Sequence, residues 1–300
     1  MIKATIIQDS ISDVGIRITT FELEYPRFVH AELMTHRMWS RNAESSRAVP
    51  IEKTIEHVKT NPAAPVFWGK NQAGMQSAVE LEGNELQQAK SLWDRAATSA
   101  AGYSAQMAQA SMHKQIANRV TEPFKNIKTI VTATEYANWY WLRDHYMAQP
   151  EIAELANLMK KAVQASTPLM LNSDEWHVPY VDRIRSQESL KYLGAEGYFI
   201  SLEDAKIVSA SCCAQVSYRK NDDSIEKAKI VYDRLTNTKG DPVHASPLEH
   251  QATPMIYAVD FMASYWQEGI THVDRKGKFW SANFKGWIQN RQLIPGHCVW

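Results

Sequence analysis

The sequence predicts an α+β fold, a mixed β-sheet with flanking long helices, and three observations carry that reading. Residues 4–8 and 15–24 read as strands, the second alternating through Ile16, Ile18 and Thr20. Residues 85–119 are rich in alanine and poor in helix breakers, which favours a long helix. The later strand-like and helix-like segments follow no βαβ rhythm, so a doubly wound sheet is disfavoured.

Taken in order, the second strand should lead directly into a helix. Pro26 sits where a first turn tolerates it, and Val29, Leu33 and His36 or Arg37 recur at helical spacing until the serine-rich residues 40–47 end the pattern. Residues 51–60 form a second helix and residues 61–74, with their Pro, Gly and Asn, a loop. The 85–119 helix has a candidate break at Gly102. Residues 132–147 and 151–164 read as a helix pair split by Pro150. After a Pro-, Asn- and Asp-rich loop at 168–180, a short helix is expected at 187–193, a strand at 205–218, a helix at 225–235, a strand at 254–262 and a helix at 283–293. No repeat, low-complexity tract or Gly/Ser linker divides the chain, so residues 1–300 are expected to form a single domain.

Composition narrows the function classes. The chain has 300 residues, 44% hydrophobic and 22% charged, with 33 basic against 33 acidic side chains. A zero net charge offers no general field for a nucleic-acid polymer, although a local basic site remains open. No apolar run approaches the ~20 residues of a membrane span, and the N-terminus lacks a signal-peptide layout; the expected location is cytoplasmic. Cys212 and Cys213 are adjacent and Cys298 stands alone, a pattern that suggests neither a metal site nor a disulfide. In an alternating strand one of the paired sulfurs would point inward and the other outward. With no activating neighbour in sequence they read as small buried hydrophobes.

Three segments could carry chemistry. Residues 35–47 (THRMWSRNAESSR) concentrate three arginines, three serines, an asparagine and a histidine just past an apolar helix. Arginine forks beside serine donors suit a phosphate, whereas a helix C-terminus followed by a solvated turn would use the same residues blandly. Residues 241–250 (DPVHASPLEH) contain Ser246 and Glu249 in capping-box spacing with Pro247 at the first helical position. The two histidines, six residues apart, do not fit a zinc helix. Residues 138–152 place Asn138 and Arg143 about 140° apart on one helix, which lets them face different surroundings, or form an aromatic core stripe with a snorkelling arginine.

Together these segments resemble the flavin-dependent thymidylate synthases, the ThyX family. Its pattern R-H-R-x-x-S-x-N-E-x-S-x-R is met at His36, Arg37, Ser40, Asn42, Ser45 and Arg47; Thr35 replaces an arginine and Ala43 a glutamate, with Glu44 one place late. Residues 244–250 are similar to H-x-T-P-x-E-H, 214–218 to A-R-V-S-F, 119–123 (RVTEP) to R-I-V-L-P, and 138–152 to N-F-L-N-L-R with a trailing A-Q-x-E-I. In the family the A-R-V-S and H-x-T-P-x-E-H blocks come first. Here they come last, so the motif order is cyclically permuted, which a site assembled in space tolerates.

The resemblance implies methylation of dUMP to dTMP with FAD, NADPH and methylenetetrahydrofolate, in a homotetramer. It also implies a set of roles. Thr35, His36, Arg37, Asn138, Ser217, His244, Ser246 and Glu249 would meet FAD. Glu32, Ser45, Ser46, Arg47, Arg119 and Arg143 would meet the nucleotide, and Arg143 would act catalytically by stabilising negative charge on the pyrimidine. Three alternatives stay open: hydroxymethyl transfer to dUMP or dCMP, a methyltransferase using Cys212 or Cys213, and a non-catalytic nucleotide- or flavin-binding homologue.

Overall fold

The computed structural model describes residues 2–187, 189–217, 222–236, 243–256 and 266–298. Its main sheet has the order β3-β4-β2-β1-β5, formed by β1 (Lys3–Ser12), β2 (Arg17–Pro26), β3 (Ser40–Ala43), β4 (Asn126–Ala133) and β5 (Leu169–Leu171). All neighbours are antiparallel except β1 and β5, which makes the sheet mixed, as predicted. Helices complete the first half: α1 (His30–Leu33), α2 (Ile51–Thr60), α3 (Gly83–Gln109), α4 (Lys114–Ala117), α5 (Ala137–Arg143) and α6 (Pro150–Ala165). The rest comprises a meander of β6 (Asp182–Arg185), β7 (Leu190–Leu193) and β8 (Phe199–Ile200), then α7 (Leu202–Ala214), α8 (Ile225–Thr236), β9 (Ala252–Pro254), β10 (His272–Val273), β11 (Phe279–Ser281), β12 (Phe284–Lys285) and β13 (Trp287–Gln289).

Strand alternation in β2 sends Phe21, Leu23 and Tyr25 to one face, where Ile152, Leu155, Ala156 and Met159 of α6 cover them. Each such side chain contributes about 1.5–3 kcal/mol on burial. Ile18 belongs instead to a second core with Ala205, Val208 and Cys212 of α7, and Ile130 of β4 packs on Cys213. Between sheet and C-terminal layer runs a buried polar chain. Arg183 Nη1 donates to Ser10 Oγ (2.9 Å), Ser10 meets His177 Nδ1 (2.8 Å), His177 Nε2 meets Thr20 Oγ1 (2.8 Å), and Thr20 reaches Thr132 (2.7 Å) and then His250 Nδ1 (2.8 Å).

Several elements differ from the sequence reading. The helix expected after Pro26 is only a 3-10 turn (Arg27–Val29) and four-residue α1. Thr35 Oγ1 donates to the Glu32 carbonyl (2.6 Å) and closes it, and residues 40–43, expected in a turn, extend as β3 along the β4 edge. Thr132 and Ala133 belong to β4, whose β-branched run Ile127, Thr129, Ile130, Val131 favours a central strand, so the following helix starts at Ala137. The long helix passes unbroken through Gly102 and stops at Gln109; Ser111 just beyond adopts φ 61°.

Residues 205–214 form helix α7 and not a strand. From Ala205 to its end the helix has no exposed side chain, so no 3.6-residue stripe marks it, although Ser201 caps it by accepting from the Asp204 backbone N–H (3.0 Å). The helix expected at 187–193 is strand β7, with Leu190 and Tyr192 inward and Lys191 outward. The helix expected at 283–293 is β12, β13 and a 3-10 turn, Asn290–Leu293. Of the strand expected at 254–262, Pro254 ends β9 and residues 257–262 lie outside the described residues, as does Tyr218.

Candidate active site

The turn after α1 is built around His36. Its ring stacks on Trp39 (centroids 5.5 Å apart) and meets Trp139 edge-on (4.6 Å), both tryptophans being buried. Arg143, at the end of α5, donates from Nε to His36 Nε2 (3.1 Å). Burial, then the cations Arg143 and Arg41, push His36 down to about 4, so the ring is neutral near pH 7 with its proton on Nδ1. Arg41 Nη1 donates to the carbonyls of Met34 (2.8 Å) and His36 (3.1 Å) and clamps the turn. Sequence reasoning counted Arg41 among the cluster's cations but did not see this role. An arginine eight residues past the end of α1 is its only signal.

Strand β3 carries the next residues to partners far along the chain. Asn42 Nδ2 donates to the Cys213 carbonyl (3.1 Å), and the Ser45 backbone N–H donates to Ser217 Oγ (3.1 Å). Gln289 Nε2 donates both to Ser40 Oγ (3.1 Å) and to the Glu249 carbonyl (3.3 Å), while Thr132 of β4 holds His250. The 36–47, 213–217 and 246–250 segments are therefore neighbours in space. Asn138 and Arg143 do face different surroundings. Asn138 lines a cavity of about 890 Å³ with Met38, Glu135, Trp280 and Lys285, whereas Arg143 turns to His36.

Arg37, Arg47, Asn138, His244 and Ser246 are exposed, and their side chains make no hydrogen bond or ion pair among the described residues. Glu32 is half-buried and Thr35 exposed at the end of α1. Other predicted residues are already engaged. Ser46 is buried and donates from Oγ to Glu122 Oε1 (2.7 Å), Ser217 accepts from Ser45, and Glu249 pairs with Arg291. Arg119 belongs to a second cluster with Arg27 and Glu122, beside the start of α1. Both cysteines are fully buried in α7, and burial first of all pushes their thiols up, Cys212 to about 12 and Cys213 well above the usual value. Neither has a thiolate to offer near neutral pH.

An α+β fold whose sheet edge gathers a cationic turn, a histidine packed on two buried tryptophans and exposed hydrogen-bond donors outlines a candidate site whose chemistry suits anionic ligands. The chain belongs to the family of the thymidylate synthase complementing proteins, whose family profile matches residues 17–169. Membership makes it a thymidylate synthase-like one-carbon transferase, of the enzyme class that methylates dUMP. Two solved structures of a UMP/dUMP methylase PolB from Streptomyces cacaoi, bound with 5-Br UMP and 5-Br dUMP, are similar to 57% of this chain. They are matched over 90% and 91% of their own length, at 19% identity and TM-scores of 0.45 and 0.46. No curated protein matches the chain. No described helix is long and apolar enough to cross a membrane.

Proposed function

We propose that this chain is a single catalytic domain that converts dUMP to dTMP with FAD, NADPH and methylenetetrahydrofolate, in a cytoplasmic homotetramer with its motif order permuted. The observation that carries the reading is the Arg143–His36 contact. It uses one guanidinium nitrogen and leaves the two terminal nitrogens of Arg143 with no partner among the described residues, close to the donors of the 35–47 segment. Arg37, Asn138, His244 and Ser246, whose side chains have no partner among the described residues, fit FAD as donors for phosphate, ribose and ring oxygens. They lie exposed, which agrees with a site completed by another copy of the chain. When bound, the flavin supplies the redox chemistry, and the protein binds and orients the reactants.

The neutral His36 ring, held between two tryptophans, gives Arg143 a fixed acceptor and so a fixed direction. Its terminal N–H groups are then preorganised to hold negative charge on a pyrimidine oxygen as it builds, without cost of reorientation. Arg47 and Ser45 receive the nucleotide phosphate, and Ser217 holds the Ser45 backbone in place. The visible spectrum of the purified protein tests the reading first, and mass spectrometry of the product second. Flavin absorption and a dTMP product are expected; a colourless protein that fails to take up FAD contradicts it.

A further inference from the structure

The sheet β10-β11-β12 lies outside the residues that the family profile matches and outside every motif block, yet it is pinned to the candidate site. Asn283, in the β11–β12 turn, donates from Nδ2 to the Met38 carbonyl (3.3 Å). Lys285 donates its backbone N–H to Thr134 Oγ1 (2.9 Å), and its ammonium pairs with Glu135 just before α5. These contacts make the β10–β11 hairpin one wall of the cavity of about 890 Å³ that Asn138 lines. Asp274 closes the hairpin turn. Its Oδ1 accepts from the backbone N–H groups of Lys276 (2.8 Å) and Lys278 (3.0 Å) and its Oδ2 from Trp280 Nε1 (3.1 Å), while Gly277 takes the φ of 76° that the turn requires. Arg275 and Lys276 are exposed, and their side chains have no partner among the described residues. The cavity wall therefore carries four cations, Arg275, Lys276, Lys278 and Lys285, against two carboxylates, Glu135 and Asp274, of which Glu135 is matched by Lys285.

We infer that this hairpin receives the glutamyl tail of the folate substrate. Arg275, Lys276 and Lys278 supply a row of positive charge for successive γ-linked carboxylates, and Ile16, Met38 and Trp280 supply apolar wall for the flat body that precedes them. The inference rests on the folate reading above and assigns residues to a reactant which that reading leaves without any. A folate joins an uncharged aromatic body to a tail in which every added glutamate brings one more carboxylate. Its recognition therefore calls for apolar surface beside an open line of cations, in contrast to a single phosphate, which is best held by a buried guanidinium fork. The hairpin has the first arrangement: its cations occupy neighbouring turn positions, and Asp274 is engaged in holding the turn together. Because Arg275 and Lys276 are exposed, each contributes modestly, so the effect grows with the number of carboxylates and shrinks with added salt.

Calorimetric titration of the FAD-loaded protein with folic acid and with its pentaglutamyl form tests this, in wild type and in the double variant Arg275→Gln, Lys276→Gln. At low salt the wild type is expected to bind the pentaglutamyl form about five- to tenfold tighter than folic acid, the scale of a few exposed charge pairs acting together. That advantage should shrink toward unity at about 0.5 M salt, where such pairs are screened. The double variant, whose fold is checked by its melting curve, is expected to hold folic acid within about threefold of wild type and to lose most of the pentaglutamyl advantage. Equal affinities for the two folates in the wild type, or an unchanged ratio in the double variant, overturn the inference. Titration with NADPH in parallel separates the two sources of anionic groups: weaker NADPH binding in the double variant with an unchanged folate ratio gives the hairpin to the phosphates of the nicotinamide cofactor and overturns the tail assignment. A wild-type protein that takes up FAD but binds neither folate overturns the folate reading itself.

Discussion

Arg143 Nε and His36 Nε2 are joined across 3.1 Å, although one closes α5 and the other follows α1, 107 residues earlier. The contact ties the histidine's protonation to the arginine's charge. Arg143→Ala is expected to lower turnover by about a hundredfold or more, the scale seen when a preorganised charge-stabilising donor is lost. It should also raise the His36 pKa from about 4 toward the ordinary histidine value, because a nearby cation is removed. Turnover measurements and an NMR titration of the His36 ring check the two effects separately.

Stability should fall with acid well before the carboxylates titrate. Burial holds His36 and His30 at about 4 and His250 at about 3, below the 6.5 of an exposed ring. Between these values and 6.5 the unfolded chain binds more protons than the folded one, so stability rises with pH across that window and is lost as pH falls through it. For fully buried His250 alone the loss from pH 7 to 4 is on the order of 3 kcal/mol, at ~1.4 kcal/mol per unit. Urea denaturation midpoints at pH 7, 5.5 and 4.5 should decrease in that order; a flat profile contradicts the argument.

Arg47→Ala should weaken dUMP binding about ten- to a hundredfold, corresponding to the roughly 1.5–3 kcal/mol of a charge-assisted hydrogen bond, while FAD binding changes little. Arg47→Lys should recover only part of it, since an ammonium cannot reproduce the guanidinium fork. Titration of each variant with dUMP and FAD checks both statements, and unchanged dUMP affinity in the alanine variant removes Arg47 from the nucleotide site.

Replacing Cys212 and Cys213 together by alanine should leave turnover largely intact while lowering the melting temperature, because both side chains are packing atoms in α7. In the native wild type the two thiols should react with a thiol reagent only on unfolding. Complete loss of turnover in a folded double variant would instead favour a cysteine nucleophile.

The base is decided by isotope label. With reduced enzyme and labelled methylenetetrahydrofolate, incorporation is expected into dTMP from dUMP. Label found only in a dCMP-derived or hydroxymethylated product would assign the one-carbon transfer to the other reaction and place half-buried Glu32, an acceptor when ionised, near the cytosine amino group.

Where an element is amphipathic on its own, the sequence was sufficient. Helix α2 exposes Glu52, Lys53 and Glu56 and buries Thr54 and Val58, and its bounds are those read from the sequence; α6 and α8 were legible in the same way. Residues 205–214 of α7 were read as part of a strand because none of them is exposed, leaving no solvent-facing side to mark the helical period. The 283–293 segment was read as a helix although its course is set by pairing of β13 with β9, residues 252–254, which no local pattern records.

The same division holds for the site. Residue types and spacing in 35–47, together with the other motif blocks, were enough to point to the family, because phosphate and flavin chemistry demand arginine, serine and histidine donors whatever the chain order. That Ser45 meets Ser217, that Gln289 bridges Ser40 and Glu249, and that Glu122 sits between Arg27 and Arg119 were decided by the tertiary structure alone. Such contacts depend on which strand edges and helix faces pack, and packing energy is shared among residues far apart in sequence, so no window along the chain contains it.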